Sequence, residues 1–235
     1  MKIKTKVLVG FLKKVRMTGK QSINESVLRF ENDGLKISAN SSPKQSRVMG
    51  WLNKVAFIEY EAIGNVAMND LENVVKVLER FGEIIIFKKE GSLLNIKGDG
   101  KTVDIELVNE NFLETDTNEP NLTFTDNFEI TSVKLSNIIQ DVKMNKDAVL
   151  TIKTVEKGVM FSNTGKYKFV NTHESLTCKG GVTVSFGEPF VDCVSELDGN
   201  LQISVGSKYP CKVIEKLENS VITIIIAPRV EDSDD

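Results

Sequence analysis

Seven basic residues, Lys2, Lys4, Lys6, Lys13, Lys14, Arg16 and Lys20, precede the first acid of the chain, Glu25. A run of one sign is chemistry for a polyanion: ammonium and guanidinium groups displace the counterions of phosphates without reading any sequence. The asymmetry extends beyond the run. Through Glu110 there are 18 basic and 14 acidic residues, and from Asn111 onward 12 basic and 19 acidic, for a net charge of −3. A basic start with an acidic remainder fits a protein that meets a polyanion on one face and does not coat it.

Other chemistries are poorly served. His173 is the only histidine, and Cys178, Cys193 and Cys211 are too scattered for a disulfide framework or a metal site. A histidine-based triad lacks its parts. Gly100-Lys101-Thr102 ends like a phosphate-binding loop, but Asn95 stands where that motif requires its first glycine. The surrounding pattern is a hairpin, not a strand entering a helix. No cofactor or metal is expected, and an enzyme is disfavoured. No apolar run reaches the length of a membrane span, and the start lacks the apolar stretch of a signal peptide. The composition, 40% hydrophobic and 27% charged, is that of a folded soluble chain without a membrane partner.

The elements that must position the basic residues occur twice. Val27–Asn40 (VLRFENDGLKISAN) and Val149–Thr164 (VLTIKTVEKGVMFSNT) each alternate, turn through a glycine (Gly34, Gly158) and alternate again, the signature of a β-hairpin. Each follows an amphipathic helix. Val7, Leu8, Phe11, Leu12 and Val15 form the first stripe; Leu135, Ile138, Ile139 and Val142 form its counterpart, with Thr131 or Ser132 as N-cap. A second helix follows in each half. One carries Leu71, Val74, Val75 and Leu78, with Asn69 and Glu72 spaced for a capping box. The other carries Phe190, Val191, Val194 and Leu197 after Pro189. Further strands close each half, at Ile84–Val108 and Leu201–Ala227. The offset is about 120 residues. Residues 109–127 are polar and acidic and contain Pro120, so they read as a connector between domains 1–108 and 128–235. The fold class is a duplicated α+β fold, two helices on antiparallel sheets in each half.

Several segments, in order, resemble the DNA polymerase sliding clamps of the proliferating cell nuclear antigen type. These are FLKKV (Phe11–Val15), INE with the downstream DGLKISANSS (Ile23–Ser42), NVAMNDLENVVKVL (Asn65–Leu78), Tyr209-Pro210 and the closing IIIAPRVEDSDD (Ile224–Asp235). The resemblance implies a two-domain clamp fold assembling into a ring, usually a homotrimer, around double-stranded DNA. Helices line the hole and sheets form the outside. Its partners would be DNA polymerase, other enzymes that carry clamp-interaction peptides, and a clamp loader. The location would be intracellular, at the nucleoid or in the nucleus. Alternatives of the same kind are a subunit of a heterotrimeric or checkpoint-type ring, or a viral clamp that also recruits transcription machinery.

On a helical wheel Lys6 and Lys13 lie opposite the first stripe, Lys14 lies on its flank, and Lys20 follows the helix. Lys76 joins from the second helix, Lys134 and Lys143 from the third. These seven are the expected DNA contacts. Carried over from the family, the partner-peptide groove would comprise Ala39, Asn40, Ser41, Leu113, Pro120, Leu122, Pro210, Ile225, Ala227 and Pro228. By family position, Thr102–Val108 and Lys168–Thr177 would be the edges that join subunits. The acidic tail Glu231–Asp235 would solubilise the end of the chain or help recruit a partner.

Overall fold

Alternation and helical spacing give way to one another where the sequence indicates. The computed structural model describes residues 1–113, 119–145 and 149–229. The first half runs β1 (Lys2–Lys4), α1 (Thr5–Arg16), β2 (Ser26–Glu31), β3 (Gly34–Asn40), β4 (Ser46–Asn53), β5 (Phe57–Glu59), β6 (Gly64–Met68), α2 (Leu71–Leu78), β7 (Ile84–Glu90), β8 (Leu93–Gly98) and β9 (Lys101–Glu106). The second runs β10 (Asp126–Thr131), α3 (Ser132–Lys143), β11 (Leu150–Val155), β12 (Gly158–Asn163), β13 (Val170–Glu174), β14 (Thr183–Phe186), α4 (Glu188–Val194), β15 (Asn200–Val205), β16 (Cys211–Leu217) and β17 (Ser220–Ile226). The strand β10 begins at Asp126, inside the segment read as connector.

The duplication is visible in strand order. In the first half β1-β7-β8-β9 are neighbours, as β10-β15-β16-β17 are in the second. Likewise β4-β3-β2-β6 repeats as β13-β12-β11-β14. The two halves meet where β17 pairs with β4, antiparallel, over seven residues from Ser220↔Leu52 to Ile226↔Ser46. That junction makes one eight-stranded sheet from both halves. Among the described strands, β9 and β13 each end a sheet.

Helix α1 lies on the joined sheet. Leu8, Phe11, Leu12 and Val15 are each at most 4% exposed, and such burial stabilises by roughly 1.5–3 kcal/mol per side chain. Gly50 of β4 allows the close approach: a Cβ there would come within 2.5 Å of Val15 Cγ1 and 2.9 Å of Phe11 Cζ. Thr5 Oγ1 donates to Gly82 O at 2.5 Å, tying the start of α1 to the segment after α2.

Thr131 caps α3 by accepting from the Lys134 N–H. The α2 cap differs from expectation. Asp70, not Asn69, is the N-cap, and its Oδ1 accepts from Asn73 N at 3.2 Å. The helix therefore starts one residue later. Glu72 falls at the second helical position, too early to reach back, and pairs with Lys76 and Arg16 instead. At the head of β10 the buried Asp126 carboxylate takes Thr154 Oγ1 at 2.5 Å and the N–H groups of Lys179 and Gly180 at 2.9 and 3.1 Å. Burial pushes its pKa up, but these donors together outweigh burial and hold it below the ordinary value.

Candidate functional site

Side-chain contacts order the helices into one layer. Lys13 Nζ meets Glu79 at 2.6 Å and Arg16 meets Glu72 at 3.4 Å, so α2 lies beside α1. After α1, Thr18 Oγ1 reaches Asp192 O at 2.9 Å, and the Lys20 backbone N–H donates to Asp192 Oδ2 at 3.0 Å, so α4 lies on its other side. Ser136, Gln140 and Lys143 of α3 share a cleft of about 380 Å³ with Val194, Ser195 and Asp198. The row is therefore α2, α1, α4, α3.

The lysines expected to meet DNA lie on or beside this layer, with Lys14 turned away from the surface. Lys6 is exposed and makes no ion pair among the described residues. Lys13 and Lys76 are accessible but paired, with Glu79 and with Glu72, both at 2.6 Å. Lys20 pairs with Glu188 at 2.7 Å. Lys134 donates to Thr172 O at 3.2 Å and approaches His173 Nδ1 at 3.0 Å. Lys143 is exposed. Lys14 does not join them. It is 8% exposed, and its ammonium contacts both oxygens of Glu215, at 2.8 and 3.0 Å, and Asp198 Oδ2 at 3.0 Å. Glu215 is fully buried and also accepts the Asp198 N–H. A cation so neutralised is not available to a phosphate. It fastens α1 to the second half instead.

The second half offers fewer cations. With the two long helices superposed on their repeat, Val133, Gln140 and Lys143 of α3 stand where α1 has Lys6, Lys13 and Arg16. Val133 is 71% exposed. Helix α4 carries Glu188 and Asp192 and no base.

The proposed groove residues gather at one end of the eight-stranded sheet, with one exception. Asn40 pairs with Arg47, Arg47 with Ile225 and Ile225 with Lys212, so Ala39 to Ser41, Ile225 to Pro228 and Pro210 are brought to the same edge. Lys212 is ion-paired with Glu119, beside Pro120, which anchors the end of the connector there. Phe124 meets Tyr209 edge-on, ring centroids 5.9 Å apart, and places Leu122 nearby. Sequence reasoning named the segments but not this aromatic pair. Ala39, Ser41 and Ile225 are buried within the chain, so Pro120 and Ala227, with the half-buried Asn40, Leu122, Pro210 and Pro228, form the accessible surface. Leu113 is the exception: it follows the short turn at Glu110–Phe112, near β6. The acidic tail lies outside the described residues.

The remaining reactive groups are committed elsewhere. Burial pushes the Cys193 thiol up to about 12, and it raises Cys211 and Cys178 too. Gly100 sits in the β8–β9 turn at φ +70° and leads into a strand, which is not phosphate-loop geometry. No group of three or more His, Cys, Asp or Glu suited to a metal occurs among the described residues. Among the described residues no helix is long and apolar enough to cross a membrane.

No protein-family model matches this sequence, and no curated protein matches it. Solved structures do. A structure of A. fulgidus PCNA with the C-terminal region of FEN-1 bound superposes at TM-score 0.87 with 15% identity, covering 99% of this chain and 98% of that one. The PCNA2–PCNA3 complex of Sulfolobus tokodaii gives TM-score 0.79 at 20% identity, over 98% and 99%. The proliferating cellular nuclear antigen of Entamoeba histolytica gives 0.80 at 18%, over 97% and 98%. At these identities the likeness is one of fold: the chain has the α+β clamp fold of these proteins along nearly its whole length.

Proposed function

We propose that the chain is a DNA sliding clamp, a non-enzymatic tether that encircles duplex DNA and holds replication and repair enzymes on it. One observation carries the reading. The chain makes a strand junction once within itself, β17 on β4, and leaves the two repeats of those strands, β9 and β13, without a partner at sheet ends. A repeating unit with one closed and one open junction of the same kind joins head to tail, and such a contact closes into a ring when the rotation permits. Three copies would supply six halves, with the helix layer turned inward and Lys6, Lys13, Lys20, Lys76, Lys134 and Lys143 facing phosphate. Such contacts carry no base information. The edge formed by Pro120, Leu122, Pro210, Ala227 and Pro228 would receive the apolar anchors of a partner peptide, and the A. fulgidus protein with FEN-1 bound is a precedent for that fold. The Sulfolobus tokodaii complex favours a second reading, a ring of unlike chains.

The decisive experiment compares residence on a nicked circle and on the same DNA after linearisation. A ring persists through a salt wash on the circle and runs off the ends once they exist. Equal residence on both would sink the proposal.

A further inference from the structure

We infer that the outer face of the first half's sheet, across β1, β7 and β8, is a docking surface for an acidic amphipathic helix of a partner protein, distinct from the groove edge at β17. Aliphatic side chains of that helix lie on Ile84 and Ile86, and its carboxylates meet Lys2, Lys4 and Lys97.

The surface follows from alternation. Ile3, Ile85, Phe87, Leu94 and Ile96 are each at most 4% exposed and belong to the core beneath the helices. Their strand neighbours therefore point to the opposite face. Lys2 and Lys4, two of the seven cations that open the chain, are thus turned away from the helix layer. They cannot serve a polyanion met by Lys6 and Lys13.

Pairing sets these cations around an apolar centre. Lys2 stands opposite Ile86 and Lys4 opposite Ile84 on one side, and Lys97 stands opposite Ile86 on the other. Ile86 is 47% exposed, and so is Ile58, the extra residue of a bulge against Lys2. Lys4 and Lys97 are exposed and make no ion pair among the described residues. Lys2 reaches Glu59 only at 3.8 Å. The duplication does not account for this patch. With α1 superposed on α3, the row Lys2–Ile86–Lys97 becomes Glu129–Gln202–Ile214, which has neither flanking cation.

Charge and spacing specify the occupant. Neighbouring strands lie about 4.8 Å apart, so Lys2 and Lys97 straddle Ile86 at roughly 9.6 Å between Cα atoms. On a helix, residues seven apart stand about 10.5 Å apart, and those three and four along lie between them on the same face. Acids at the ends of that span and aliphatics at its middle match the row with opposite sign. A nucleic acid fits less well. It has no aliphatic group to cover Ile84 and Ile86, and Asp104 and Glu106 of β9, on the same face, would repel a phosphate backbone that continued across the sheet.

A labelled synthetic helix with aspartates seven residues apart and isoleucines between them tests this, against a control with asparagine for aspartate. Binding is read by fluorescence anisotropy and located by amide chemical shifts. Shifts should be confined to β1, β7 and β8. Lys4→Glu and Lys97→Glu should each weaken binding, on the order of tenfold, without lowering the melting midpoint, because both side chains are exposed. The asparagine control should bind the unmodified protein more weakly by a similar factor. Equal binding of the two helices, or binding that survives both reversals, would overturn the inference. So would shifts at Pro210, Ala227 and Pro228, which would return the helix to the groove edge. A single-stranded oligonucleotide that perturbs the same strands and binds more tightly than the helix would assign the face to nucleic acid and remove the helix as occupant. None of these readouts involves residence on circular DNA, so the ring reading is decided separately.

Discussion

Lys14 shows how the same residue type serves opposite ends within one helix. Three positions on from the buried Phe11, its ammonium enters a cluster with Glu215 and Asp198, while its neighbour Lys13 stays at the surface. Removing one member of a buried pair strands the other charge, and here Glu215 has no solvent to turn to. Lys14→Ala should therefore cost about 3–5 kcal/mol of stability. Exposed lysines such as Lys6 should change stability by less than about 0.5 kcal/mol when replaced by alanine. Thermal or urea denaturation of the two variants side by side checks this. A Lys14→Ala protein as stable as Lys6→Ala would mean that the cluster does not hold α1 to the second half.

At the scale of elements, the close seat of α1 on β4 depends on the absence of a side chain at Gly50. An added methyl would meet Val15 and Phe11 of α1 and Ile37 of the sheet, all under 3 Å, and none of them can swing into solvent. Gly50→Ala should push the helix outward and destabilise by about 1–3 kcal/mol, a shift measurable in the thermal midpoint. No change would show that the helix has slack. Both hairpins, the stripes of α1 and α3 and the duplication were legible in the sequence, because each is a local period or a repeat of one. Legibility ended where partners are remote. The wheel placed Lys14 on a flank, and whether a flank meets water or Glu215, 201 residues away, is decided by tertiary packing. The α2 cap shifted by one residue because Asn69 and Asp70 are both competent caps and only the backbone path chooses between them. The sheet ends at β9 and β13 match the edges carried over from the family, yet alternation alone is the same in an edge strand and a central one. Leu113, carried over to the groove, follows the Glu110–Phe112 turn near β6, a placement that its own sequence neighbours do not reveal.

For the whole molecule, a clamp of the kind proposed would have to hold DNA weakly enough to slide, and the ion pairs among the helices that would face it bear on that. Lys13 and Lys76, two of the cations on the first half's helix layer, each sit 2.6 Å from a carboxylate, Glu79 and Glu72. Exposed pairs are worth little in themselves, so phosphate can compete for the lysines, but each carboxylate then remains close to the DNA and repels it. The second half adds only Lys134 and Lys143 along α3, beside Asp192 on α4. Affinity for a short linear duplex should thus fall well below what the number of lysines suggests. Glu72→Gln with Glu79→Gln leaves both lysines without an acidic competitor. Binding should tighten, and the slope of log affinity against log salt should steepen by up to about 0.9 for each lysine that gains a phosphate. Fluorescence anisotropy with a labelled duplex at several salt concentrations measures both quantities. The same double variant should move more slowly along DNA, since a steeper salt slope means more contacts broken at each step. An unchanged slope would place Lys13 and Lys76 away from the duplex and leave Lys6, Lys20, Lys134 and Lys143 as the candidate contacts.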